Sequence, residues 1–153
     1  MTESDLEGGP LRYAVAGAYK VDLANFDEGA EDGWARNTSH GLEVDGLVKS
    51  MGFSMHVMGV LMKLKSGDPD YGVLVQPGYM IVPKKLEVAG RFSLATEHED
   101  NRNHVEARAA VNYFIHGNAW RLAGEAGFLQ YTGDGAMDDK PDLLARVQLQ
   151  MQI

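Results

Sequence analysis

Residues 143–153 read Leu143-Leu144-Ala145-Arg146-Val147-Gln148-Leu149-Gln150-Met151-Gln152-Ile153. From Ala145 onward, every odd-numbered residue is apolar and every even-numbered residue is arginine or glutamine. Because successive side chains of a β-strand point to opposite faces, this pattern predicts a strand with one apolar face and one hydrophilic face. Such a strand lies between an apolar medium and water. The apolar medium is either a protein core or a lipid bilayer.

The same alternation occurs in seven preceding segments, so the sequence predicts eight β-strands. The seven segments are Leu11–Leu23, 42–49, Phe53–Lys65, Tyr71–Val82, 85–94, 104–115 and 120–128. Their glycine and β-branched residues disfavour helices. The third and fourth segments are apolar on both faces. Their second faces must therefore be covered by a folded-in loop, a partner chain or a packed barrel interior.

The connections between these segments alternate between short and long. The short ones are 50–52, Pro83-Lys84 and 116–118, and the long ones are 24–39, 66–70, 96–103 and 132–142. Alternate connections of an up-and-down antiparallel sheet lie at the same end, so the short turns share one end and the long loops the other. This arrangement, with an even strand number, is typical of outer-membrane barrels. The predicted fold is an all-β, antiparallel, up-and-down transmembrane β-barrel over residues 11–153, after an N-terminal segment of residues 1–10.

Composition excludes several other classes of protein. The chain has 153 residues, no cysteine and a formal net charge of −8, which excludes disulfides and disfavours nucleic-acid binding. No apolar run approaches the roughly 20 residues of a membrane-spanning helix, and residues 1–10 do not resemble a signal peptide. Phosphate-binding loops, dinucleotide motifs and nucleophile elbows are absent from the sequence. We therefore expect neither an enzyme nor a cofactor.

Two acidic segments are the candidates for a metal site. Glu97-His98-Glu99-Asp100 is more typical of a solvated loop, and Asp134–Asp139 lacks the spacing and the terminal glutamate of an EF-hand loop. The five histidines have no metal-ligand spacing. We therefore expect no bound metal.

The hydrophilic faces of the strands form the candidate functional surface. The predicted pore-lining residues are Lys20, Arg91, Arg108, Arg121, Glu125 and Arg146. Counting from the short-turn end places Arg121 low, Lys20 high and the other four near mid-height. Rings of arginine and lysine favour anions, so these residues predict an anion-selecting belt. The alternative is that the inward charges pair with glutamates such as Glu87 and Glu106 and form a satisfied interior.

One hairpin resembles a known family. Residues 71–92 read Tyr71-Gly72-Val73-Leu74-Val75-Gln76-Pro77-Gly78-Tyr79-Met80-Ile81-Val82-Pro83-Lys84-Lys85-Leu86-Glu87-Val88-Ala89-Gly90-Arg91-Phe92. The Gln-x-Gly-Tyr and Pro-x-x-Leu-Glu-x-x-x-Arg elements in this stretch resemble those of the bacterial phosphate-selective porin family. Residues 111–122 are similar to the family's asparagine-tyrosine strand, short turn and following strand, and 146–153 fit its closing strand. The resemblance covers roughly residues 10–153.

This resemblance implies a porin in the outer membrane of a Gram-negative bacterium. Small hydrophilic solutes, including anions such as phosphate, would diffuse through it passively, and outer-membrane lipid would surround it. The family further implies a homotrimer. Its members have about sixteen strands, so the eight predicted here would correspond to the C-terminal half of a larger barrel. A second departure is Ile153, because outer-membrane barrels usually end in an aromatic residue.

Strand number separates the remaining interpretations. Eight strands closed on themselves enclose an interior filled by side chains, whereas about sixteen leave an aqueous channel. The first alternative to a porin is therefore an autonomous eight-stranded outer-membrane protein with a packed lumen and a structural or adhesive role. The second is a soluble, lipocalin-like barrel, whose apolar faces would point inward and bind an apolar ligand.

Overall fold

The computed structural model describes residues 4–22, 39–63, 68–98, 102–117, 119–133 and 141–151. The strands are β1 (Arg12–Asp22), β2 (Ser39–Ser50), β3 (Phe53–Lys63), β4 (Asp70–Val82), β5 (Leu86–Glu97), β6 (Arg102–His116), β7 (Trp120–Gly133) and β8 (Asp142–Met151). They form one antiparallel sheet in the order β1 to β8. The predicted all-β, up-and-down fold with eight strands is thus confirmed. In these ranges no helix is long and apolar enough to cross a membrane.

The strands extend further toward the long connections than the sequence predicts. β5 continues to Glu97 and β6 begins at Arg102, although the sequence predicts a loop over 96–103. Glu97 lies opposite Arg102, and Thr96 Oγ1 donates to Asn103 Oδ1 at 2.9 Å. Strand pairing therefore continues beyond the apolar alternation because polar cross-strand contacts replace apolar ones. The rest of the predicted long loops falls largely outside the described residues.

The predicted short turns occur where the sequence places them. Met51 and Gly52 join β2 to β3 and have φ angles of 50° and 85°. Positive φ at both central residues defines a type I′ turn, whose twist matches that of the flanking strands. Lys84 also has a positive φ, of 63°, in the turn between β4 and β5. This turn is closed by Lys85 N, which donates to Val82 O at 3.0 Å.

Register shows that the strands are staggered. One row of directly opposite residues consists of Arg12, Lys49, Ser54, Gly78, Ala89, Ala110, Glu125 and Arg146. The row starts at the first residue of β1, beside the short-turn end, and reaches β8 near the middle of that strand. The strands are therefore tilted relative to the line of short turns. A stagger that accumulates in one sense is what a sheet needs to close into a barrel.

The two faces of the sheet have opposite character. We call the face that carries the buried side chains of Ser54, Gln76 and Asn112 the inner face, and the opposite one the outer face. Apolar outer-face side chains are exposed, with Val15 at 74% and Val147 at 79%. The inner face is buried or half-buried along most of β3 to β7, although no second layer covers most of it within the described ranges, whereas its side chains on β1 are exposed. The sheet must therefore curl around its inner face.

The apolar second faces of β3 and β4 belong to the inner face. Met58 lies opposite Leu74, and Val60 opposite Gly72, in the rows that also contain inner-face polar residues. Near the short-turn end Met80 is buried, and its backbone N–H donates to Gly52 O at 2.9 Å. These apolar side chains thus face the interior and not the outer medium.

The sheet is open in the part of the chain that the structure describes. β1 and β8 are its two edges, and they neither pair with nor contact each other. All side chains of β1 from Arg12 to Val21 are exposed. An up-and-down sheet with a barrel-like stagger is therefore observed without closure of its ends.

Candidate functional site

A polar cavity of about 220 Å³ lies on the inner face between β4 and β8. Four of the six predicted pore-lining residues surround it, namely Arg91, Arg108, Glu125 and Arg146. Gln76 and several small residues complete the wall. We call the four charged residues together with Glu106, which contacts Arg108, the charged belt.

The register of four neighbouring strands creates this cluster. Arg91 on β5 lies directly opposite Arg108 on β6, and Glu125 on β7 lies directly opposite Arg146 on β8. Two like charges in directly opposite positions destabilise a sheet. The arginine pair therefore requires nearby acceptors.

Those acceptors are present on both sides of the arginine pair. Arg108 Nη2 donates to Glu106 Oε2 at 2.9 Å, and Arg108 Nη1 donates to Glu125 Oε1 at 3.3 Å. Arg146 Nη2 lies 2.7 Å from the same Glu125 oxygen. Arg91 instead donates from Nε and Nη2 to the neutral Gln76 Oε1, at 3.0 and 2.9 Å.

The charged belt therefore combines both interpretations of the inward charges. Arg108 and Arg146 are paired, as the satisfied-interior alternative predicts. Three arginines against two glutamates leave one positive charge in excess, and Arg91 has no carboxylate partner among the described residues. The side chain of Arg146 is 51% exposed, so the belt is accessible from the open side of the cavity. An anion entering the cavity would meet hydrogen-bond donors that already point into it.

Arg121 and Lys20 lie apart from this cluster. Arg121 Nη2 donates to Gln150 Oε1, and its guanidinium lies 6.0 Å from the centre of the Phe114 ring. That position is nearer the short-turn end, as predicted. Lys20 lies on β1, toward the opposite end of the strand and at the far edge of the sheet. Neither residue lines the cavity.

The N-terminal segment carries a buried residue that the sequence did not indicate. Asp5 is 1% exposed, and its Oδ2 accepts a hydrogen bond from Gly52 N at 2.9 Å. Its other carboxylate oxygen is paired with Arg12. Gly9 O accepts a further bond from Met51 N at 3.0 Å. The segment 4–10 is thus fixed against the inner face at its short-turn end.

A second buried carboxylate lies beside this segment. Glu87 is fully buried, and its Oε2 accepts hydrogen bonds from Ser4 Oγ at 2.8 Å and Asn112 Nδ2 at 2.7 Å. A Cβ atom at Gly78 would lie 2.8 Å from both Glu87 Oε1 and Ser54 Oγ. Only glycine fits there without displacing one of these side chains. The Gln-x-Gly-Tyr element therefore has a structural reason for its glycine.

Sequence patterning could identify only part of this arrangement. Glu87 stands at a hydrophilic position of the alternation, so its inward direction was predictable. Residues 4–10 have no such period, and only Gly8-Gly9-Pro10 signals a turn there. The bonds of Asp5 and Ser4 join residues far apart in sequence, which local patterns do not specify.

The described part of the chain contains no cluster of metal-binding side chains. No three histidine, aspartate or glutamate side chains lie close enough to hold an ion there. Glu99, Asp100 and residues 134–139, which belong to the two acidic candidate segments, lie outside the described residues.

Replacing Asp5 by alanine should release the N-terminal segment. The change removes the acceptor of a buried backbone N–H, and we expect a loss of about 1–3 kcal/mol in the free energy of unfolding. Urea unfolding measures the loss, and limited proteolysis should cleave within residues 4–10. Glu7→Ala is the matched control, because its contact with Lys84 at 3.7 Å is solvent-exposed. Equal behaviour of the two variants would contradict an anchoring role for Asp5.

Comparison of the chain with protein-family models, curated proteins and solved structures finds no match. The resemblance to phosphate-selective porins therefore remains a prediction, and function is inferred from the geometry of the sheet and its charged belt.

Proposed function

We propose that this chain forms the wall of a β-barrel channel in a bacterial outer membrane, through which small hydrophilic solutes, anions in particular, diffuse passively. The observation that carries the proposal is an inverted distribution of side chains. In the described ranges the buried apolar residues are Met80, Phe114 and Ala123, whereas exposed large apolar side chains occur on every strand. Soluble proteins rarely expose a contiguous apolar surface of this extent, and such surfaces mark contact with a membrane or a partner.

The outer face suits a lipid environment. Its exposed side chains are aliphatic along most of each strand, and aromatic residues lie toward both ends. Tyr13, Tyr113 and Trp120 lie near the short turns, and Tyr19 and Tyr71 lie toward the long connections. Aromatic side chains at two levels are typical of the two interfaces of a membrane. Strands of 10 to 15 residues also reach the roughly 9–11 needed to cross the hydrocarbon layer at a tilt.

The inner face suits an aqueous path for solutes. It carries the charged belt, the buried amides of Gln76 and Asn112, and small residues between them. The excess positive charge of the belt favours anions over cations. Passive diffusion requires no catalytic group, and the belt offers hydrogen-bond donors to a passing anion.

The second candidate is an eight-stranded outer-membrane protein with a packed lumen. The ion pairs of Arg108 and Arg146 with Glu125 favour it, because a packed interior must satisfy its charges internally. A lipocalin-like barrel is disfavoured, because the apolar faces would have to point inward and the exposed side chains of Val15 and Val147 point outward.

Partitioning and conductance test the proposal together. We expect the protein to remain with detergent or lipid and to give discrete current steps in a planar bilayer. A protein that inserts into the bilayer without conducting would favour the packed eight-stranded barrel. A protein that stays soluble and monodisperse in buffer without detergent would exclude both membrane functions.

A further inference from the structure

The two edge strands of the sheet are similar in length and run in opposite directions. β1 has 11 residues and β8 has 10. Since eight strands alternate in direction, β1 and β8 run antiparallel to each other. Among the described residues, both present an unpaired row of backbone N–H and C=O groups, which is a template for pairing with another strand. In lipid such groups must be satisfied, because no water is available to them.

The side chains of the two edges are complementary in size. The inner face of β1 carries Ala14, Ala16 and Ala18, and the inner face of β8 carries the long side chains of Arg146, Gln148 and Gln150. When the strands are placed antiparallel with Ala14 opposite Gln150, each alanine lies opposite one long side chain. The small residues of one edge therefore leave room for the large residues of the other. On the outer face, the same placement brings two exposed apolar residues, Val15 and Leu149, together.

The contents of the inner face argue against closure within one chain. The interior of an eight-stranded barrel is filled by side chains or holds one small ligand. Here the inner face also holds backbone, because the segment 4–10 lies against it with Asp5 and Ser4 bonded to Gly52 and Glu87. The cavity of about 220 Å³ adds to the volume that must be enclosed. A barrel with more strands has room for both the segment 4–10 and the cavity.

We propose that two copies of this chain form one barrel, in which β1 of each copy pairs with β8 of the other. The two junctions are equivalent and related by a two-fold axis, so the assembly closes without leaving a free edge. Sixteen strands result, which is a number that leaves an aqueous channel. Two charged belts then face each other across one lumen.

This inference rests on the proposed function, because a channel needs the wider interior. The two are nevertheless separable, since strand pairing is measured by cross-linking and solute passage by conductance. Cross-linking without conductance would sustain the two-copy barrel and contradict the channel. Conductance without cross-linking would support the channel and contradict the two-copy barrel.

Cysteine cross-linking tests the junction, because the chain contains no cysteine of its own. Two differently tagged full-length chains, one with Val15→Cys and one with Leu149→Cys, are folded together into lipid vesicles. A short bifunctional maleimide reagent tolerates a shift of register by two residues. We expect a product that carries both tags and has twice the mass of one chain. Val57→Cys replaces Val15→Cys in the control, since Val57 is an exposed outer-face valine on β3, away from either edge.

The variant with both Val15→Cys and Leu149→Cys decides between the two ways of closing the sheet. The proposal expects a closed dimer linked at both junctions, which retains the conductance of the parent protein. Cross-linking into a compact monomer would mean that β1 pairs with β8 of its own chain and would overturn the proposal. Failure of vesicle-inserted protein to cross-link, or equal cross-linking of the Val57→Cys control, would overturn it as well.

Discussion

Replacing Gly127 by alanine is expected to cost about 3 kcal/mol of folding free energy, which is the upper part of the range for overpacking a close contact. A Cβ atom at this position would overlap the carbonyl oxygen of Ala107 and lie 2.8 Å from Cα of Arg108. Both neighbours are backbone atoms of β6, which is paired on both sides. They cannot move without breaking the ladder between β6 and β7, so the strain cannot relax locally.

Gly124→Ala provides the matched control on the same strand. A Cβ atom there would meet no other atom within 4 Å, so the backbone tolerates it. We expect its free energy of unfolding to stay within about 0.5 kcal/mol of the parent, since surface substitutions without a specific contact have effects of this size. Urea unfolding in detergent micelles, followed by tryptophan fluorescence, compares the variants. Similar midpoints for Gly127→Ala and Gly124→Ala would contradict the close approach of β6 and β7.

The contact at Gly127 also links the fold to the charged belt. The Cβ atom of an alanine would lie 2.8 Å from Cγ of Arg108, whose guanidinium bonds to Glu106 and Glu125. Displacement of this side chain would separate it from its carboxylate partners. The absence of a side chain at Gly127 therefore leaves the space that Arg108 needs to lie opposite Arg91 and still reach its carboxylate partners.

The faces of the strands were predictable because the period of two is a local property. In the alternation from Ala145 to Met151, each hydrophilic side chain lies on the inner face, as the pattern predicts. Arg91 and Arg108 also lie on the inner face, as predicted. For Arg91 and Arg108 to lie opposite each other, β5 and β6 must also pair in the observed register. The type I′ turn at Met51-Gly52 and the tight turns that follow fix that register, and such turns are readable from sequence.

The rest of the site depends on contacts that local patterns do not encode. Arg121 and Lys20 share the inner face with the charged belt, yet stagger and strand order keep them away from it. Gln76 receives both donors of Arg91, although its strand reads as apolar on both faces. Whether the edges of the sheet meet is a question of curvature, and alternation is the same in an open and in a closed sheet.

Reversing the charge of Arg91 and Arg108 together is expected to turn an anion-favouring pore into a cation-favouring one. The double variant Arg91→Glu/Arg108→Glu changes the charged belt from one positive charge in excess to three negative charges in excess, because two arginines become glutamates. In a tenfold gradient of a monovalent salt, an ideally selective pore has a reversal potential of about 59 mV. We expect the reversal potential to change sign on that scale, because the side chains that line the cavity set the local field.

The matched control for this reversal changes the same number of charges at the two rims. Lys63→Glu/Lys85→Glu replaces two exposed lysines at the ends of the strands, and we expect only a small shift, since exposed charges are screened by salt within about 10 Å at 0.1 M. Four neighbouring carboxylates in the double variant will oppose folding, so Glu125→Gln is measured as well. It removes one negative charge from the belt and should move the reversal potential further toward anions. An unchanged reversal potential in both belt variants, recorded with conducting protein, would show that ions do not pass along this face.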